Sequence, residues 1–212
     1  MLKPTRVAGR LTKTALMILV AFASLVAAVP PKVSLTRESR EALARVTADG
    51  LRGHVSFLAS DALEGRRAGA RGADLAAEYI AAQFRRAGLE PAGADGSYFQ
   101  TATFTSRGAP ATEITSRNVA AILRGSDPKL RDTYVILSAH YDHLGIRENV
   151  EGDKLFNGAN DNASGTAGLV EVASALSTLK RRPRRSILFV AFTGEEFGLR
   201  GSRFYAEHPL VP

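Results

Sequence analysis

Residues 191–202 read AFTGEEFGLRGS, with two adjacent carboxylates, Glu195 and Glu196, directly after an apolar run. Metal-assisted hydrolysis needs such a division of labour: one group holds the cation and a separate one takes a proton from water. Neighbouring residues leaving a strand project in different directions, so a Glu-Glu pair can fill both posts. For an arbitrary pair, a solvated acidic turn is the plain alternative. Two further clusters weigh against it here. HYDHLG (140–145) supplies His140, Asp142 and His143, and NGANDNASG (157–165) supplies Asp161. Two residues apart in an extended chain, His140 and Asp142 face the same way. A metal-binding imidazole commonly donates its second N–H to a carboxylate, a role that suits Asp142. Asp161 lies among small, turn-forming residues ahead of a helix, where Asp and Asn also serve as caps. Asn162 is the expected cap, which leaves Asp161 free, and a carboxylate can bridge two cations.

These clusters need a scaffold that gathers them. TYVILSA (133–139) and SILFVAF (186–192) are short, continuous apolar runs rich in β-formers. They predict two strands, each buried on both faces. Between them, ASGTAGLVEVASALSTLK (163–180) sets Leu169, Val172, Ala173, Leu176 and Leu179 on one side of a helix. Strand, helix and strand predict a parallel pair with a right-handed crossover. Ligand sites in such sheets lie beyond the carboxyl ends of the strands, where all three polar clusters fall. Upstream, TRESREALARVTADG predicts a helix stopped by Gly50, and LRGHVSFLAS continues with helical spacing. DALEGRRAGARG, with three glycines, reads as a loop. ADLAAEYIAAQFRRAG predicts a helix with Leu75, Tyr79, Ile80 and Phe84 on one face and Gly88 at its end. Extended segments are expected near 98–104 and 117–124.

The 212 residues suffice for one domain with a sizeable core, and 45% apolar with 23% charged residues is an ordinary globular balance. The first 28 residues stand apart. Lys3, Arg6, Arg10 and Lys13 precede an apolar stretch, and Val26 and Ala28 suit cleavage after Ala28, so 1–28 is expected to be a signal peptide. An uncleaved anchor is the alternative, although 14–29 holds only 16 uncharged residues against the ~20 of a span. Export follows, with membrane contact only if the segment is retained. Residues 29–50 read as a linker and an N-terminal helix, and 51–212 as the main domain. Without 1–28 the formal charge of +7 becomes 24 basic against 21 acidic residues, no argument for a nucleic-acid partner. RRPRR (181–185) reads as a solvated turn. The chain has no cysteine, which excludes a disulfide framework, a thiol nucleophile and thiolate metal sites. The absence of G-x-S-x-G disfavours a serine hydrolase, and the absence of G-x-x-x-x-G-K and G-x-G-x-x-G disfavours a nucleotide-binding fold.

From about residue 50 onward, AHYDHLG, NGANDNASGTAGLVEVA and RSILFVAFTGEEFGLRGSRFYAEHP resemble the secreted co-catalytic dizinc aminopeptidases, relatives of glutamate carboxypeptidase and glutaminyl cyclase. FLASDALEGRRAGARGADLAAEYIAAQF and GSYFQ match more loosely. The resemblance implies a three-layer α/β domain with a mixed central sheet, two zinc ions and a peptide substrate cut at its N-terminal residue. It implies that His140 binds one zinc, Glu196 the other, and Asp161 bridges them. Asp142 would orient His140, Glu195 would be the base, and His143 would be a wall of the site without a ligand role. It also implies a cis Asp161–Asn162 bond. The family's downstream aspartate and histidine ligands have no counterpart, and His208 matches a surface segment instead. On this resemblance the chain is the first part of such a domain, weakly active or inactive, with an apolar strand edge uncovered. A non-catalytic exported binding module that keeps the fold is the alternative.

Overall fold

A computed structural model describes residues 34–106 and 111–212, so the expected signal segment lies outside the described residues. Helices α1 (Arg37–Leu43) and α2 (Ala48–Leu58) come first. The break between them falls at 44–47, not at Gly50 as the sequence predicts. The reason is local: the Thr47 hydroxyl accepts the Gly50 N–H at 3.0 Å and caps α2, so Gly50 opens a helix instead of closing one. A 3₁₀ turn (Asp61–Arg66) follows where a loop is expected. Its last residues, Glu64, Gly65 and Arg66, have φ of 49°, 68° and 52°. A Cβ on Gly65 would lie 2.4 Å from the Phe156 carbonyl oxygen, so glycine is required there. Helix α3 (Arg71–Arg86) buries Ala73, Ala76, Ala77, Ile80, Ala81 and Phe84, and Gly88 ends it at φ 71°. Leu75, expected on that face, is exposed, because the alanines let α3 pack close along a face turned away from it.

Strands β1 (Glu90–Pro91) and β2 (Phe99–Thr105) both pair antiparallel with β3 (Glu113–Leu123). Next come β4 (Tyr134–His140) and a small hairpin of β5 (Gly145–Ile146) and β6 (Leu155–Phe156). A π-type turn (Ala159–Ala163), helix α4 (Ser164–Ser177), strand β7 (Ser186–Phe192) and helix α5 (Arg200–Glu207) complete the order. The described sheet runs β1-β3-β7-β4, with β7 antiparallel to β3 and parallel to β4. The α4 crossover therefore joins a parallel pair, as predicted.

Side chains alternate across the sheet. Val119, Ala121, Leu123, Phe189 and Ala191 face a core shared with Leu58, Ile80, Phe84 and Val170 from α2, α3 and α4. Ala120, Ile122, Leu188 and Val190 face a smaller core with Tyr205 of α5. The result is three layers, with β7 buried on both faces. Each large apolar side chain so buried contributes about 1.5–3 kcal/mol. Strand β4 departs from expectation: Val135 and Ile136 are 44% and 46% exposed. Among the described residues β4 pairs with β7 alone, so its composition matches a central strand while its position is an edge. No described helix is long and apolar enough to cross a membrane. The 181–185 turn is largely exposed, with Arg184 paired to Asp127 at 2.7 Å.

Candidate metal centre

Register sets the site. His140, the last residue of β4, lies opposite Phe192, the last of β7, so the segments that follow emerge side by side. The crossover helix is tied to the same rim, since Thr166 Oγ1 donates to the His140 carbonyl at 2.9 Å. Asn162 Oδ1 accepts the Gly165 N–H at 2.9 Å and caps α4, as expected. The Asp161–Asn162 peptide bond is cis. Asp161 stands at the rim, with Oδ1 3.2 Å from His140 Nε2.

The other face of His140 differs in detail from expectation. Its Nδ1 is 3.2 Å from the main-chain carbonyl oxygen of Asp142 and 3.8 Å from the carboxylate Oδ1. The orienting acceptor is thus the main-chain carbonyl of Asp142, which lies nearer to Nδ1 than the carboxylate does. Asp142 is fully buried, and Oδ1 accepts the Glu195 N–H at 3.1 Å, tying the HYDHLG segment to the TGEE turn. Asp142 Oδ2 is buried without a hydrogen-bond partner. Burial raises the Asp142 pKa well above the usual carboxylate range, against the lowering effect of the Glu195 amide and of His140.

Glu195 and Glu196 diverge, as adjacent residues leaving a strand should. Glu196 Oε1 is 2.7 Å from His143 Nδ1. One ligand-capable atom from each of His143, Asp161 and Glu196 lies within 4.8 Å of the others. Glu195 instead lines a cavity of ≈ 380 Å³ together with His140, Asn162, Thr193, Leu199 and Ser202. Asp161 is therefore close both to His140 and to the His143–Glu196 pair. His143, given no ligand role by the sequence resemblance, has its ring inside the cluster. Imidazole nitrogen and carboxylate oxygen suit a zinc-type divalent cation. The orphaned buried Asp142 oxygen and two close carboxylates fit a centre that receives positive charge.

Two residues that organise this rim carry no signal in the local sequence. Asn118, buried in β3, accepts the Thr193 N–H at 3.1 Å. Its Nδ2 donates to the Gly201 carbonyl at 2.9 Å and to Gln100 Oε1 at 3.0 Å. Thr193 and Gly201, which bracket the TGEE turn and the chain after it, are so fastened to the sheet, with Ser116 Oγ 2.6 Å from Thr193 Oγ1 beside them. A Cβ on Gly201 would lie 2.2 Å from the Thr193 carbonyl oxygen, so the approach admits only glycine. The one hint of Asn118 is a polar residue heading the apolar run VAAIL. The other unforeseen residue is Arg66, fully buried beneath the rim.

Residues 118–212 match the model of peptidase family M28. The chain is 32% identical over 152 residues to a probable zinc metalloprotease of Leptosphaeria maculans, covering 72% of this chain and 34% of that protein. It is 41% identical over 101 residues to aminopeptidase NAALADL1 of Mus musculus, covering 45% of this chain and 12% of that protein. With aminopeptidase YwaD of Bacillus subtilis it shares 36% identity over 97 residues, covering 46% and 19%. The chain spans about a third or less of the length of these relatives. Among solved structures, glutaminyl cyclase of Porphyromonas gingivalis superposes with a TM-score of 0.62 at 22% identity, over 79% of this chain and 57% of that one. A Zn-dependent exopeptidase of Parabacteroides distasonis gives 0.60 at 21% identity, over 78% and 57%. At these identities the likeness shows a shared α/β fold.

Proposed function

We propose, from the match of residues 118–212 to the model of peptidase family M28, that the chain acts as a zinc-dependent exopeptidase of the aminopeptidase kind, on N-terminal residues of peptides. The observation that carries this reading is the placement of Asp161, 3.2 Å from His140 and within 4.8 Å of Glu196 and His143. A carboxylate there can be shared between two cations. In this reading His140 and Glu196 would each hold a zinc ion, and Asp161 would contribute to holding both. Bound zinc supplies Lewis-acid activation of the scissile carbonyl.

The remaining work belongs to side chains. Glu195, free of the cluster and facing the cavity, takes a proton from the attacking water at a carboxylate oxygen and returns it to the leaving amine. Such transfer is worth about 10²–10⁴ in rate. Asp142 keeps His140 in one tautomer through its carbonyl and fixes the Glu195 main chain through its carboxylate. Residues 1–28 are read as an export signal and 51–212 as the catalytic domain, so substrate is met outside the cytoplasm. N-terminal sequencing of the exported chain should then begin at Val29.

The test separates the adjacent glutamates. Zinc is added to the purified chain, and metal content and hydrolysis of an amino-acid anilide are measured. Glu195→Gln should keep zinc at the parent level and lower turnover at least about 10²-fold. Glu196→Gln should lose zinc as well. The reverse pattern would mean that base and ligand are exchanged. A parent chain that holds no zinc would overturn the metallopeptidase reading.

A further inference from the structure

We infer that Arg66 is a positioning residue of the metal centre, setting the separation of its two ligand-bearing segments and supplying positive charge beneath them; the inference rests on the zinc reading above. Arg66 is 0% exposed. Its guanidinium is spent entirely on main-chain carbonyls of three separate segments. Nε donates to the Tyr141 oxygen at 2.8 Å, Nη1 to Asn157 at 2.7 Å and to Leu58, and Nη2 to Gly158 at 3.0 Å. Its own carbonyl accepts the His143 N–H at 3.2 Å. One side chain thus grips the chain directly after His140 and the chain just before Asp161.

The contacts are specific to this residue type. A planar fork reaches several acceptors in fixed directions, whereas an ammonium presents its donors from one point. The backbone is shaped for it: three consecutive left-handed residues bring Arg66 under the rim, and Gly65 leaves no room for a side chain against Phe156. Burial lowers the Arg66 pKa to about 10, and the nearby charges of Asp142 and Asp161 oppose that shift. An arginine stays protonated in proteins, so Arg66 sets a positive charge near Asp161 and, where it is ionised, Asp142.

The test compares Arg66→Lys with Phe84→Leu, a core change on α3 away from the rim. Zinc affinity is read by competition with a chromophoric chelator on chains shown to be folded by circular dichroism. Deuterium uptake is followed in segments 141–145 and 157–163. Arg66→Lys should weaken zinc binding at least about tenfold, equivalent to about 1.4 kcal/mol, and should raise uptake in both segments together. Phe84→Leu should lower the melting temperature and leave both readouts at parent values. Parent-like affinity, or parent-like exchange in either segment, in Arg66→Lys would overturn the inference. If the parent binds no zinc, the function reading falls, and the exchange result alone still decides the role of Arg66. If Arg66→Lys does not fold, arginine-labelled parent chain decides: a slowly exchanging buried guanidinium signal that moves on zinc addition supports the role, and one that does not move overturns it.

Discussion

Asn118→Ala tests how far the candidate site depends on a residue that touches none of its ligands. The substitution removes the acceptor of the Thr193 N–H and the donor to the Gly201 carbonyl, both beside a buried Thr193. The Gly201 carbonyl keeps the amide four residues on in α5, but the buried Thr193 N–H is left without a partner, at a cost of about 1–3 kcal/mol. Gln100 loses a partner too, but its Nε2 keeps the His208 carbonyl at 2.6 Å. Against a total stability of about 5–15 kcal/mol this is a large fraction. At roughly 2–4 °C per kcal/mol for a domain of this size, a loss of about 2 kcal/mol should lower the melting temperature by about 4–8 °C. Thermal unfolding followed by far-UV circular dichroism measures it. Chelator competition at a temperature where the variant remains folded should show weaker zinc binding, because the TGEE turn keeps its tie to Asp142 but has lost its tie to β3. A melting temperature within about 2 °C of the parent, with zinc affinity unchanged, would refute the reasoning.

Two further outcomes follow from the geometry. In chelator-treated chain, Asp142 keeps a proton in the folded form, up to about pH 7, that the unfolded form has lost. Its contribution to stability is complete below an unfolded pKa of about 3.9 and is lost as pH rises through the folded value. The urea midpoint of the parent relative to Asp142→Asn should therefore fall between those limits, and a relative midpoint that rises there would contradict the sign. Ile136→Lys places a charge on the exposed edge strand, a device by which sheets resist edge pairing. Concentration-dependent light scattering should decrease with an unchanged circular dichroism spectrum, and unchanged association would show that this edge is not adhesive.

Much of the fold could be read from local pattern because its signals are local. SILFVAF is buried on both faces as its composition predicts, and the alternating Phe189 and Leu188 feed opposite cores. TYVILSA carries the same composition but lies at an edge, since no property of a strand's own residues states how many neighbours it has. Gly50 was misjudged as a stop because glycine signals both ends of helices, and only the Thr47 hydroxyl shows which end this one marks. Ligand-type residues that follow strands, His140, Asp142, Asp161, Glu195 and Glu196, stand out in the sequence, and the structure gathers them at one end of the sheet. Arg66 does not stand out: an arginine in a glycine-rich stretch looks solvated until distant carbonyls surround it. His143 entered the cluster because the turn after β4 swings its ring to Glu196, a direction that residue spacing does not encode.

The level ends of β4 and β7 also bear on the order in which the protein is built. Strand partners such as His140 and Phe192 are separated by roughly 50 residues of chain, and contacts of that span form after local ones because the loop must first be closed. His140 and Asp161 are joined by a shorter segment and can meet while β7 is still unplaced. Glu195 and Glu196 arrive only when β7 docks between β3 and β4. A cation met by the nascent chain would find an incomplete set of donors and a solvated carboxylate in place of the finished rim. Metal loading therefore belongs after sheet closure, and the rate at which added zinc is taken up during refolding should track the formation of β7 rather than that of α4.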